Sequence, residues 1–276
     1  MLLITAVWGW TFVLVKGALQ HYPTLPFLEL RFILALLVLV ALVRRLPTRR
    51  ELRVGLIAGA VLAAGYWTQT VGLTMTSPAN SGLITGLFVV FTPLIDRLFG
   101  ARLRWFTWIA VASALTGTVM LVGGPANIGL GELLTVACAI LYALHIVLLS
   151  KWSPGLPSAP LAMVQMGAGA LIFTSTGSWT LQPPGPNVWF AIVVTGVFAS
   201  ALAFYIQTLA QQHLSASRTA LILTTEPAWA LLAAVVLAGQ RFGPLQAAGA
   251  AVVIAALVGH ELAHLKFKNH GNEAPA

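Results

Sequence analysis

Apolar runs of bilayer length, separated by short polar breaks, fill almost the whole chain. A membrane-crossing helix needs about 20 mostly apolar residues. The pattern predicts ten, at residues 2–20, 26–44, 53–74, 79–99, 105–123, 130–150, 159–179, 188–211, 216–238 and 243–263. The breaks HYPTLP, RRLPTRR, TSPAN, GGPANIG, WSPGLPSAP and QPPGPN carry turn-forming and helix-stopping residues. The closing KFKNHGNEAPA is polar and is expected to be a cytoplasmic tail, residues 266–276, without fixed structure. The expected fold is all-α: a polytopic membrane protein of ten transmembrane helices.

Composition excludes the alternative of a soluble domain. Hydrophobic residues make up 58% of the 276 and charged residues only 8%, against roughly 25% charged in soluble domains. A soluble fold of this size lacks the interior to bury so much apolar surface. The net charge of +8 raises nucleic acid as a partner, but the basic residues sit in short loops between apolar runs, where they set membrane orientation. If the N-terminus is cytoplasmic, that side collects Arg44, Arg45, Arg49, Arg50, Arg53, Arg97, Arg102, Arg104, Lys151, Arg218, Lys266 and Lys268. Lys16, Arg31 and Arg241 are left for the other side. Both termini are therefore expected in the cytoplasm, in a cell membrane such as a bacterial inner membrane. The apolar start has neither a basic leader nor a small-residue cleavage site and is taken as the first span. Trp105, Trp108, Trp152, Trp179 and Trp189 lie at span ends, as interface anchors do.

The lone cysteine, Cys138, permits no intramolecular disulfide and is expected to be a small buried hydrophobe. The chain shows no metal-ligand spacing, phosphate-binding loop or nucleophile elbow. No cofactor is expected, and an enzyme reading finds no support.

The chain also repeats faintly. Tyr66-Trp67-Thr68-Gln69-Thr70 in span 3 matches Phe204-Tyr205-Ile206-Gln207-Thr208 in span 8. Thr92-Pro93 answers Glu226-Pro227, and Gly100-Ala101-Arg102 answers Gly239-Gln240-Arg241. The offsets are 138, 134 and 139 residues. A duplication predicts two halves, residues 1–125 and 126–265, of five spans each. Five is odd, so the halves would be inverted, a transporter architecture with its substrate site at the repeat interface.

Here the chain resembles the ten-span EamA-like permeases of the drug/metabolite transporter superfamily. TAVWGWTFVLVKGAL, FLELRFILALLVL, GLTMTSPANSGLITGLFVVFTPLIDRLFG and HLSASRTALILTTEPAWALLAAVVLAGQRFGPLQAAGAAVVIAAL carry the likeness. The resemblance implies ten helices around a central cavity, spans 5 and 10 at the periphery, and alternating access. It also implies outward transport of amino acids, other metabolites or drugs. The chain departs from the pattern at Gln240 and Ala101, and span 1 lacks the embedded glutamate of small multidrug carriers, offering Trp8, Trp10 and Lys16 instead. That weakens a cationic-drug reading.

Glu226 is the acid that matters most. It lies near the middle of span 9, directly before Pro227. A charge there costs about 3 kcal/mol, so it must face a cavity, find a partner or hold a proton. Pro227 removes the hydrogen bond to the Leu223 carbonyl, and the kink expected there exposes backbone; Thr224 and Thr225 offer hydroxyls to the freed positions. Glu226 is either a substrate-amine or proton-coupling group, or a structural acid tying span 9 to another helix. Arg31, a turn inside span 2, either forks a substrate carboxylate or snorkels to headgroups. Gln165 stands at the repeat-equivalent place in span 7. His145, with Tyr142 three residues before it, is either a core group or a proton relay with Glu226. Lys16 either snorkels or binds.

Trp8, Trp10, Tyr66, Trp67, Tyr142, Tyr205 and Trp229 lie deeper than the interface anchors, and Trp229 follows Glu226 by three. Tyr66 with Gln69, and Phe204 with Gln207, put an aromatic and an amide on one face. Such faces either wall a ligand chamber or pack against lipid and helices. Gly55, Gly59, Gly82 and Gly86 have the spacing of close helix contacts, and Asn80 is placed to cap span 4.

The expected function is a secondary transporter, by export, of a small polar metabolite such as an amino acid. The cell membrane is its surroundings, and monomer and homodimer both remain open. Arg31 and Glu226 would take opposite ends of a zwitterion. An organic-anion or nucleotide-sugar carrier would instead turn both Arg31 and Lys16 to the cavity. A non-transporting scaffold would have a packed centre with Glu226 paired to a helix.

Overall fold

The structure, a computed structural model, describes residues 1–101, 105–176 and 182–271. Arg102, Arg104, Trp179, residues 272–276 and the side chains of Lys266 and Lys268 lie outside the described residues. The regular elements are helical, with no strand among the described residues. They are α1 (Leu2–Leu19), α2 (Thr24–Leu42), α3 (Arg49–Met75), α4 (Pro78–Thr85), α5 (Phe88–Leu98) and α6 (Trp105–Leu121). After a 3-10 turn at Pro125–Asn127 come α7 (Leu130–Trp152), α8 (Ser158–Ser175) and α9 (Pro186–Val193). A π-helical segment (Val194–Leu202), α10 (Ala203–Gln211), α11 (Ala216–Leu223), α12 (Glu226–Val236) and α13 (Pro244–Gly271) complete the chain.

Helix ends fall within a few residues of the predicted breaks because the break residues supply the caps. Thr48 and Glu51 form a reciprocal capping box at the start of α3, with Glu51 also forked by Arg45 at 3.0 and 2.6 Å. At α4 the cap is Ser77, whose Oγ accepts the Asn80 N–H at 3.1 Å. The sequence suggested Asn80 itself. Pro78 takes the first helical position, where its missing N–H costs nothing, so the capping oxygen belongs to the residue before it. α13 runs on to Gly271, into the stretch expected to be an irregular tail.

Among the described residues, seven helical stretches are long and apolar enough to cross a membrane: α1, α2, α3, α7, α8, Pro78–Leu98 and Pro186–Gln211. The other three predicted spans coincide with shorter apolar helices, Trp105–Leu121, Glu226–Val236 and Pro244–His260. The shortness of the ninth has a local cause. Instead of kinking at Pro227, the chain interrupts the helix at Thr224-Thr225, and Pro227 enters the first turn of a new one. The threonine hydroxyls turn back on the broken end: Thr224 donates to the Ala220 carbonyl at 3.1 Å and Thr225 to the Ile222 carbonyl at 3.2 Å. Thr225 Oγ1 also meets Thr5 Oγ1 of α1 at 2.7 Å.

Between α4 and α5 there is a second interruption, at Gly86-Leu87, upstream of Pro93. The two interrupted stretches cross. A Cβ at Gly86 would overlap Pro227, and one at Gly82 would overlap Ala230. Small residues close the remaining helix pairs, as expected where lipid gives no hydrophobic drive to association. Gly55 and Gly59 seat α3 on Val164, Gln165 and Ala168 of α8, and Gly9 seats α1 on Trp229 and Ala230. Gly117 and Gly249 bring α6 and α13 together, and these two helices pack chiefly on each other. Cys138 is fully buried in α7.

Candidate functional site: a central cavity

The crossing leaves a narrow cavity at the centre, with about 50 Å³ open to a water-sized sphere. α1 contributes Trp8, Thr11, Phe12 and Val15 to its wall, and α3 contributes Leu62, Tyr66, Gln69, Thr70 and Leu73. Arg31 of α2, Phe88 of α5, and Tyr142, His145 and Ile146 of α7 face it as well. Phe204 and Gln207 of α10, Leu223 of α11 and Glu226 of α12 complete the wall.

Two of these groups are an acid and a base. Glu226 is buried in the first turn of α12, where the positive end of the helix dipole favours an anion. Among the described residues its carboxylate has neither an ion-pair nor a hydrogen-bond partner. Arg31 is buried too. Its Nε donates to Ser200 Oγ at 2.8 Å and its Nη2 to Tyr66 Oη at 3.1 Å, and its Cζ sits 4.5 Å from the Tyr66 ring centre. No acid pairs with it among the described residues, and Nη1 keeps its donors. The guanidinium is thus held in place from one side and free on the other.

The π-helical segment makes that hold available. Its wider turn brings Ser200 Oγ to Arg31 and the Ala199 carbonyl to Trp8 Nε1, at 2.8 Å each. Tyr66 Oη also donates to the Ala199 carbonyl, at 3.4 Å. Such segments recur at functional sites. In the sequence nothing announces this one, since VTGVFASAL reads as an ordinary span.

An aromatic cluster walls the cavity. Phe204 is at its centre, with ring centres 5.4 Å from Trp8, 5.7 Å from His145 and 6.0 Å from Tyr66, while Tyr66 lies 5.7 Å from Tyr142. Tyr142 Oη donates to Gln69 Oε1 at 3.2 Å, and Gln69 Nε2 donates to Thr85 Oγ1 at 3.3 Å, linking α7, α3 and α4.

Of the thirteen residues singled out from the sequence, Trp8, Arg31, Tyr66, Gln69, Tyr142, His145, Gln207 and Glu226 line this one cavity. Gln165 stands behind it, bonded to His145. Tyr205 is half-buried beside Phe204 without reaching the cavity. Trp10, Trp67 and Trp229 are 38%, 45% and 36% exposed and face outward. Trp10 and Trp67 sit two and one residues from lining aromatics, which on a helix is a different face. Trp229 is drawn onto α1 by its backbone contact with Gly9. Thr11 and Ser200 were missed, because a single hydroxyl in an apolar run gives no pattern to read, and Thr70 was read only as part of the repeat.

Both ends of the bundle are tied across helices. At one end Lys16 Nζ donates to the carbonyls of Leu73, Thr74 and Thr76 at 2.7, 2.9 and 3.0 Å. Thr76 Oγ1 bonds Glu132 Oε1 at 2.5 Å, and Gln240 Nε2 bonds Ser77 Oγ at 3.0 Å. At the other end Gln211 Nε2 donates to the Ile146 carbonyl and to Ser150 Oγ, both at 2.8 Å, and Lys151 pairs with Asp96 at 2.9 Å.

A sequence model of the EamA-like transporter family matches residues 1–123 and 129–260. The chain belongs to the EamA-like transporter family. As a member it is a multi-pass membrane transporter of the drug/metabolite transporter superfamily. An uncharacterized transporter of Archaeoglobus fulgidus is 27% identical over 264 residues, covering 93% of this chain and 82% of that protein. The Escherichia coli K12 inner membrane transporter YedA, also uncharacterized, is 23% identical over 263 residues, covering 91% and 86%. A crystal structure of a further protein superimposes with a TM-score of 0.69 at 23% identity, over 95% of this chain and 96% of that one, and so shares the fold.

Proposed function

We propose that this EamA-family chain is a secondary transporter that exports a small zwitterionic metabolite of the amino-acid type. One observation carries the proposal. Arg31 and Glu226, opposite in charge and each without an ion-pair partner among the described residues, line the same cavity. Leaving two charges buried and unpaired costs several kcal/mol, and a carboxylate-plus-amine ligand would offset both at once. The aromatic wall would hold its side chain.

The same proposal includes ten spans in two inverted halves, residues 1–125 and 126–265, with both termini cytoplasmic. The family model matching two successive stretches supports it. So do the paired interruptions at Gly86-Leu87 and Thr224-Thr225 and the concentration of basic residues on one side. Substrate would be released by alternately loosening the Lys16 ties and the Gln211 ties. Glu226 and His145, which line the same cavity, would couple the cycle to protons.

Lys16 is engaged by backbone carbonyls and does not line the cavity, which disfavours an organic-anion carrier using both cations. An open centre likewise disfavours a packed scaffold. Reconstitution in proteoliposomes tests the proposal. Counterflow of labelled amino acids, faster with an imposed pH gradient, is expected; absence of flux for all of them would refute it.

A further inference from the structure

Two amide side chains behind the cavity wall are each oriented by a backbone carbonyl, and each fixes the hydrogen-bonding character of a lining residue. Gln165 Nε2 lies 3.3 Å from the Leu161 carbonyl and 3.2 Å from Thr208 Oγ1. A carbonyl only accepts, so the nitrogen of Gln165 points there and its Oε1 points to His145 Nε2, 2.8 Å away. An amide oxygen only accepts as well. His145 Nε2 therefore carries the hydrogen, and in the neutral ring Nδ1 is left as an acceptor. Among the described residues nothing bonds Nδ1.

The second chain has the same logic. Gln211 Nε2 donates to the Ile146 carbonyl at 2.8 Å, so its Oε1 accepts from Gln207 Nε2 at 2.9 Å. That leaves Gln207 Oε1, which is buried and has no hydrogen-bond partner among the described residues. Both His145 and Gln207 line the cavity, on α7 and α10, helices that Gln211 ties together. Leaving a buried acceptor unmet is costly.

We infer that His145 Nδ1 and Gln207 Oε1 form a subsite that reads a donor group on the substrate's side chain, its ligand being a carboxylate-bearing compound whose side chain ends in an N–H2 group. This rests on the zwitterion reading and deepens it: Arg31 takes the carboxylate, Glu226 the α-amine, and the His145–Gln207 pair the distal nitrogen. Compounds with a thioether or alkyl end leave both acceptors unmet and are rejected. Gln165 and Gln211 act as positioning residues, holding the pair in accepting form.

Thermal unfolding of the detergent-purified full chain, titrated with L-glutamine, L-methionine and L-glutamate, tests this. L-Glutamine is expected to bind at least about tenfold more tightly than L-methionine, a chain of similar length with no terminal donor. It should also outbind L-glutamate, whose distal carboxylate faces two acceptors. Gln207→Leu and, separately, His145→Phe should each reduce that preference about tenfold, chiefly by weakening glutamine. Equal affinity for glutamine and methionine in the unsubstituted protein would overturn the subsite while leaving the zwitterion reading intact. Variants that keep the full preference would do the same. If none of the three binds, both readings fall. The comparison in the unsubstituted protein decides the matter even if neither variant folds.

Discussion

Gly86 and Pro227 touch where the two interrupted helical stretches cross, with no room between them for a side chain. The contact lets α12 begin where Glu226 meets the cavity. Gly86→Val is expected to destabilise the protein by about 1–3 kcal/mol through overpacking. Gly17→Ala, at a position with no neighbour within 4 Å, should be neutral or mildly stabilising. Melting curves of the two variants side by side check the claim; equal melting temperatures would refute the tight crossing.

Replacing the acid separates function from stability. Glu226→Gln keeps the shape and removes a buried acid that has no protein partner among the described residues. Folding stability should hold or rise, while transport falls at least about tenfold as a charged hydrogen bond is lost. Flux and melting temperature measured on one preparation check this. A variant that unfolds early would instead mark Glu226 as a structural acid.

Arg31 presents a planar fork, fixed by Ser200 and by the face of Tyr66. Arg31→Lys keeps the charge but loses the stacking and the two-pronged geometry. Affinity for the transported amino acid is expected to drop about tenfold or more. Isothermal titration of both proteins gives the comparison, and unchanged affinity would place the substrate carboxylate elsewhere.

The three outward tryptophans give the complementary prediction. Trp10→Phe, Trp67→Phe and Trp229→Phe each should change stability by no more than about 0.5 kcal/mol and leave flux near its original value. Trp8→Phe, which severs the hydrogen bond to the Ala199 carbonyl, should reduce flux and lower the melting temperature. Parallel transport assays of the four variants distinguish the faces.

At the Lys16 end, Lys16→Met removes three donors from the last carbonyls of α3. Hydrogen bonds to a charged group contribute about 1.5–3 kcal/mol, so a clear loss of stability is expected from thermal denaturation. A melting temperature matching the original would show the ties to be dispensable.

Much of this organisation was legible beforehand. Span positions follow from apolar run length and from prolines and glycines at the breaks, which act locally. Arg31, Glu226 and His145 stood out because polar groups at membrane depth are costly and need a reason. The tryptophans were harder. Trp8 and Trp10 look alike in sequence, and only the rotation of α1 against α12, set by Gly9, decides which turns inward. The π-helical segment was invisible because its cause is tertiary: Ser200 and Ala199 are fixed by partners on α1, α2 and α3, far away along the chain. The break at Thr224-Thr225 was anticipated only as a kink, since a proline's effect depends on whether neighbouring hydroxyls can stabilise a full interruption.

Cys138 has a practical corollary. As the sole sulfhydryl, without exposed surface, it should be shielded from maleimide reagents while α7 stays packed. A thiol introduced near Lys16, and another near Lys151, would then be the only labelled handles. Spin or dye pairs placed there could report the separation of the two mouths in a bilayer, with the native chain serving as its own unlabelled background.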